Sequence, residues 1–98
     1  MFTSLKLAWY SSRLQGKNSD MRRAAAEALG QSGDARAVEP LIKALGDEDW
    51  DMHQRAAAAL GRLGHARAAE PLVKALGDTN NSVRQAAAAV LSQLGQPQ

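Results

Sequence analysis

The stretch Gly46 to Arg55, GDEDWDMHQR, gathers Glu48, Asp49, Asp51 and His53, residue types that hold divalent cations or exchange protons. A histidine with two carboxylates is the least from which a metal centre could be built. The same acids stand in a turn and at a helix start, however, where the positive end of the helix dipole already accounts for them. His53 and His65 are separated by at least three helical turns, roughly 18 Å, so they do not share an ion within one molecule. No nucleophile elbow, zinc-protease motif, P-loop or dinucleotide fingerprint occurs. These residues predict no catalytic centre, no metal and no cofactor, and the protein is expected not to be an enzyme.

What positions the stretch is a repeat. When the chain is laid over itself at one fixed displacement, Ala25-Ala26 falls on Ala56-Ala57, Leu29-Gly30 on Leu60-Gly61, and Glu39-Pro40-Leu41 on Glu70-Pro71-Leu72. The match runs on from Lys43 to Asp47 over Lys74 to Asp78, and GDTNNSVRQA occupies the frame of GDEDWDMHQR without its aromatic rings. A fixed period, here about 31 residues, marks a repeat protein. In the first helix of each unit, Val38, Leu41, Ile42 and Leu45 follow i, i+3, i+4, i+7, and Ala69, Leu72, Val73 and Leu76 repeat them. The second helix carries Met52, Ala56, Ala59, Leu60 and Leu63. Its counterparts are Met21, Ala25, Ala28 and Leu29 before it, and Val83, Ala87, Val90, Leu91 and Leu94 after it.

Alanine is a strong helix former with a thin side chain, so alanine-rich second helices are expected to approach closely. Asp34 is placed as an N-cap, Gly46 and Gly77 as stops of the first helices, and Gly33, Gly64 and Gly95 as stops of the second. Pro40 and Pro71 fall near the second turn of the first helices, where each removes an amide donor and bends the start. Leu14 aligns with Leu45 and Tyr10 with Leu41, so residues 4–14 read as a divergent first helix. The fold class is all-α: one domain over 1–98, an α-solenoid of three antiparallel hairpins near 4–32, 35–64 and 66–95. Residues 1–19 form a divergent N-terminal cap, with Phe2, Trp9 and Tyr10 as its aromatic part.

Composition narrows the function classes. The net charge of +2 over 98 residues is spread among interspersed acids and bases, which gives nucleic-acid binding little support. No apolar run approaches the roughly 20 residues of a membrane span. The absence of cysteine fits a reducing compartment, and a cytoplasmic location is expected. MFTSLKLAWYSSRLQ is Ser-rich and basic like a transit peptide, but the register of Leu7, Tyr10 and Leu14 assigns it to the first helix.

DARAVEPLIKALGDEDWDMHQRAAAALGRLG and HARAAEPLVKALGDTNNSVRQAAAAVLSQLG resemble the HEAT-like repeats first associated with phycobilisome bilin lyases, and designed helical scaffolds of that pattern. The similarity covers roughly residues 20–95, with E-P-L-[IV]-K-A-L-G-D occurring twice in register; residues 1–19 fit by frame alone. The resemblance implies that the second helices line a concave inner face. It also implies a ladder in which a loop aspartate, Asp47 or Asp78, meets an arginine at the start of a second helix, Arg22 or Arg84. Gly16 replaces the first aspartate and His53 the middle arginine, so the ladder is expected to be incomplete.

Once the apolar stripes are removed, the second helices leave Arg23, Ala24, Glu27 and Gln31 in the first unit and Gln54, Arg55, Ala58 and Arg62 in the second. Gln85, Ala86, Ala89 and Gln93 remain in the third. Side by side these rows form a shallow surface of small and basic residues, edged by Trp50, that fits an unidentified protein or peptide partner. Two other readings use the same arginines. Arg23, Arg55 and Arg62 could pair the propionates of a tetrapyrrole in an auxiliary bilin-lyase-like subunit, or phosphates in weak nucleic-acid binding. Self-association through exposed solenoid ends is a further expectation, with Ala88, Val90 and Leu91 of the last helix partly open. Trp50 has no counterpart at Ser19 or Asn81; it either packs on the neighbouring turn or faces the partner.

Overall fold

The computed structural model describes residues 4–47 and 49–95. Phe2 and Glu48 lie outside the described residues. Six helices follow one another: α1 (Ser4–Arg13), α2 (Ser19–Gln31), α3 (Val38–Ala44), α4 (Trp50–Leu63), α5 (His65–Ala75) and α6 (Asn81–Leu94), with a 3-10 turn at Ala35–Ala37. They pair as α1/α2, α3/α4 and α5/α6, and α2 also packs along α4, and α4 along α6. The described residues thus form an all-helical solenoid.

Each second helix starts at a side-chain cap of the kind that satisfies an orphan amide. The Asn18 side chain accepts from Met21, Asp49 from Asp51, and Asn80 from Ser82 and Val83. The core is a column of leucine, alanine and valine. Leu29, Leu41, Leu45, Met52, Leu60 and Leu72 are completely enclosed, and Leu7 and Leu14 join them from the N-terminal side. No polar or charged residue among those described is buried with them.

The start of the second hairpin departs from the expected single helix. Residues 35–37 wind as a 3-10 turn, and α-helix begins only at Val38. Pro40 therefore lies in the first turn of α3 rather than near a second. The equivalent Pro71 is accommodated inside α5, which winds as α-helix from His65, so the proline alone does not set the 3-10 turn; the units differ in Asp34, which stands where His65 does and caps residues 35–37. Asp34 caps the 3-10 turn as expected, accepting from the Arg36 amide at 2.9 Å and from the Arg36 guanidinium at 3.1 and 2.7 Å. These bonds, the side-chain ones first, hold its carboxyl at about 2.

The glycines divide by role. Gly33 and Gly64, just past α2 and α4, have φ of +68° and +84°, the left-handed region that glycine enters at no steric cost. Gly95 has φ −84°, so it ends α6 without that conformation. Gly46 serves contact instead. A Cβ there would stand 2.8 Å from Asn80 Nδ2 and 3.0 Å from Val83 Cγ2. Gly30 is the tightest case, since a Cβ would lie 2.8 Å from both Cα and Cβ of Ala59.

Two apolar expectations fail in the third hairpin. Val90 is 2% exposed, so it does not open toward an end; Ala88 is exposed and Leu91 half-buried. Val73 and Leu76 are 55% and 42% exposed, although their counterparts Ile42 and Leu45 are buried. The reason is coverage: α5 and α6 pack against α3, whereas no described helix of a later unit lies against α5 in the same way.

Equivalent glycines of successive units predict opposite outcomes. Gly30→Ala is expected to destabilise by about 1–3 kcal/mol, because its methyl must push α2 off α4. Gly61→Ala is expected to stabilise by about 0.5–1 kcal/mol through helix propensity, since nothing lies within 4 Å of its Cβ. Urea denaturation of both variants reads the two signs. The folded carboxyl of Asp34 titrates below its unfolded value of about 3.9, so its stabilisation is complete above that pH and is lost as pH falls toward about 2. The melting-temperature gap between the wild type and Asp34→Ala should therefore narrow between pH 5 and pH 2; a gap that stays constant refutes the role of the charge.

Candidate functional site: the second-helix face

The fourth residue of each second helix is a base that reaches back to a carbonyl of its own hairpin turn. Arg22 donates to the Gly16 oxygen at 3.0 Å, and Arg84 to the Asp78 and Thr79 oxygens at 2.8 and 3.1 Å. His53, shorter, meets the Leu45 oxygen through Nδ1 at 2.8 Å; a carbonyl only accepts, so Nδ1 carries a proton. The acid–arginine ladder has a single rung among the described residues. Arg22 lies 3.8 Å from Asp47 and 3.5 Å from Asp49 of the next hairpin. The Asp78 carboxylate instead accepts from the Asn80 amide at 2.8 Å. Replacing arginine by histidine at 53 thus keeps the carbonyl clamp.

The acids beside His53 are engaged in building the helix start. Asp47 accepts from the Asp49 amide at 2.8 Å, and Asp49 from the Asp51 amide at 3.0 Å. Asp51 turns toward α2, where Arg23 donates to it at 3.1 Å while Arg55 donates from one turn on at 3.3 Å. Arg23 also pairs with Asp20. The bond from Arg23 holds the Asp51 carboxyl below its usual range, with Arg55 adding to it. The same bond, with that of Asp20, raises the Arg23 guanidinium. Among the described residues no group of His, Asp and Glu stands close enough to hold a metal ion.

Shallow depressions run between neighbouring second helices. One, of about 170 Å³ between α2 and α4, is lined by Glu27, Arg55, Ala58, Ala59 and Arg62. A second, of about 400 Å³ between α4 and α6, brings together Trp50, His53, Gln54, Ala58, Ala89, Val90 and Gln93. A third, of about 560 Å³, continues it to the helix starts with Gln85, Asn80 and Asp47. The α4–α6 junction is wider, and Val90 stands there where the previous unit has Ala59. At Gly61 nothing approaches as Ala59 approaches Gly30.

Of the sequence-derived residues, Glu27, Trp50, Gln54, Arg55, Ala58, Arg62, Gln85, Ala89 and Gln93 thus line these depressions. Arg23 lines none of them and is linked to Arg55 through Asp51, and Gln31 is exposed at the end of α2 without lining any. Trp50 is 70% exposed and stacks parallel on His53, with ring centroids 5.3 Å apart and planes 8° apart. The sequence reading missed Asp51 as the bridge between α2 and α4. Its i, i+4 spacing to Arg55 is visible in the chain, but its reach to Arg23 depends on how closely the helices pack.

Paired helices stacked in parallel register, with their second members forming one grooved face, define an α-helical repeat protein. The chain belongs to the HEAT-repeat family, whose family model matches residues 7–92. HEAT repeats generally mediate protein–protein interaction or scaffolding and are typically non-catalytic. No curated protein matches the chain. No helix among the described residues is long and apolar enough to cross a membrane.

With most of its surface in solvent and one stacking neighbour, Trp50 contributes little to the fold. Trp50→Ser is expected to change stability by no more than about 0.5 kcal/mol, as at other exposed sites. A melt showing a loss of several kcal/mol would assign the indole to packing instead.

Proposed function

We propose that this protein is a non-enzymatic interaction module that holds a protein or peptide partner on the face formed by α2, α4 and α6. The observation that carries the reading is the solvent-exposed Trp50 at the mouth of the α4–α6 depression, beside a floor of alanines. A large aromatic side chain that the repeat does not require is the kind of residue that anchors an interface, and small floor residues let a partner backbone approach closely. Solenoids use extended faces in this way. With three short second helices the number of anchors is small, and the binding is weak unless modules are joined or paired.

The tetrapyrrole and phosphate readings draw less support. Arg23 and Arg55 already share Asp51, which lowers the free positive charge they offer to a propionate or a phosphate.

Photo-crosslinking in cells tests the proposal. A crosslinking amino acid at Ala58, on the inner face, is expected to trap a protein partner, whereas the same probe at Lys74 of α5 traps little. Adducts from Lys74 alone would place the interface elsewhere.

A further inference from the structure

The α2–α4 depression carries charges of both signs, and the register set by Gly30 and Ala59 puts Glu27 level with Ala56, within a turn of Arg55. Along α4, Arg55 and Arg62 stand two turns apart, about 10 Å, with Ala58 and Ala59 between them. Glu27 enters the same depression from α2. Among the described residues Glu27 and Arg62 form no ion pair, and Asp51 engages Arg55 through Nε alone, at 3.3 Å. The Nη groups of Arg55 and the whole Arg62 guanidinium therefore remain as forks suited to carboxylates. Register is fixed on both sides of the pattern, by the Arg23–Asp51 bond of 3.1 Å toward the helix starts and by the Gly30–Ala59 approach toward the ends.

Resting on the inner-face reading above, we infer that this depression docks an amphipathic partner helix bearing acidic residues at i and i+7 and a basic residue at i+3 or i+4. The two acids meet Arg55 and Arg62, and the base meets Glu27. A helix matches the spacing because two helical turns on the partner rise by the same distance as two turns of α4, which keeps both acids on one face. An extended chain covers that distance in about three residues, which puts the two side chains on opposite faces. The exposed methyl of Ala58 leaves room for the partner backbone. A helix with the reverse order, base, acid, base, sets like charges together at all three points and is rejected.

The probes are two labelled alanine-based helical peptides, one with Glu, Lys and Glu at i, i+4 and i+7, the other with the three charges inverted. Fluorescence anisotropy with the full chain at low salt is expected to show the first binding at least about ten-fold tighter, about 1.4 kcal/mol. The combined variant Glu27→Lys, Arg55→Glu, Arg62→Glu should reverse the preference. Arg62→Gln, a milder change at a side chain with no internal ion pair, should reduce it several-fold with unchanged circular dichroism. Equal binding of the two peptides, binding of neither at millimolar protein, or a preference that Arg62→Gln leaves intact overturns the inference. If these results come with adducts at Ala58, the charge pattern alone is wrong; if Ala58 gives no adducts, the inner-face reading fails first.

Discussion

The contact on which the rest of the face depends is the approach of Gly30 to Ala59. A single absent Cβ lets two helix backbones meet where any other residue would hold them apart. Once that distance is set, Arg23 of α2 reaches Asp51 of α4, and Glu27 comes to share a depression with Arg55 and Arg62. The α2 and α4 side chains that meet here lie far apart along the chain. Their meeting is a property of the junction. The next junction, with Val90 in place of Ala59, is looser and produces a wider groove from nearly the same repeat.

The architecture was legible because the signals for it are local and doubled. The stripe from Val38 to Leu45 and the stripe from Met52 to Leu63 each specify a buried face, and the recurrence of the unit at a fixed period says that these faces stack. What escaped the sequence depends on neighbours. Val73 and Leu76 satisfy the same spacing as Ile42 and Leu45, yet their exposure is decided by whether another helix lies alongside. Val90 belongs to the apolar stripe, yet its place on the flank of the last helix reads as partly open; it is buried, since α6 packs against α4 and α5. The 3-10 turn before α3 is masked by a Pro-containing pattern that reads as helix in both units.

The candidate face was legible as a set of rows and not as a set of contacts. Subtracting the apolar stripe leaves the outward residues of each helix, which is how Gln54, Ala58, Ala89 and Gln93 are found. That subtraction treats every arginine alike. Arg23, Arg55 and Arg62 differ in that the first two are held by Asp51 and the third is not. Reading the free charge of a helical face therefore needs the acids of the neighbouring helix as well as those of its own.

The substitution of His53 for arginine has an entropic side. The Leu45 carbonyl holds the imidazole through Nδ1, and the Trp50 indole lies parallel on that imidazole, a contact that favours one orientation of a side chain standing mostly in water. Immobilising a free rotamer-rich side chain on association costs about 0.5–1.5 kcal/mol. On the proposed reading, a stacked contact made on folding offsets part of that cost at Trp50.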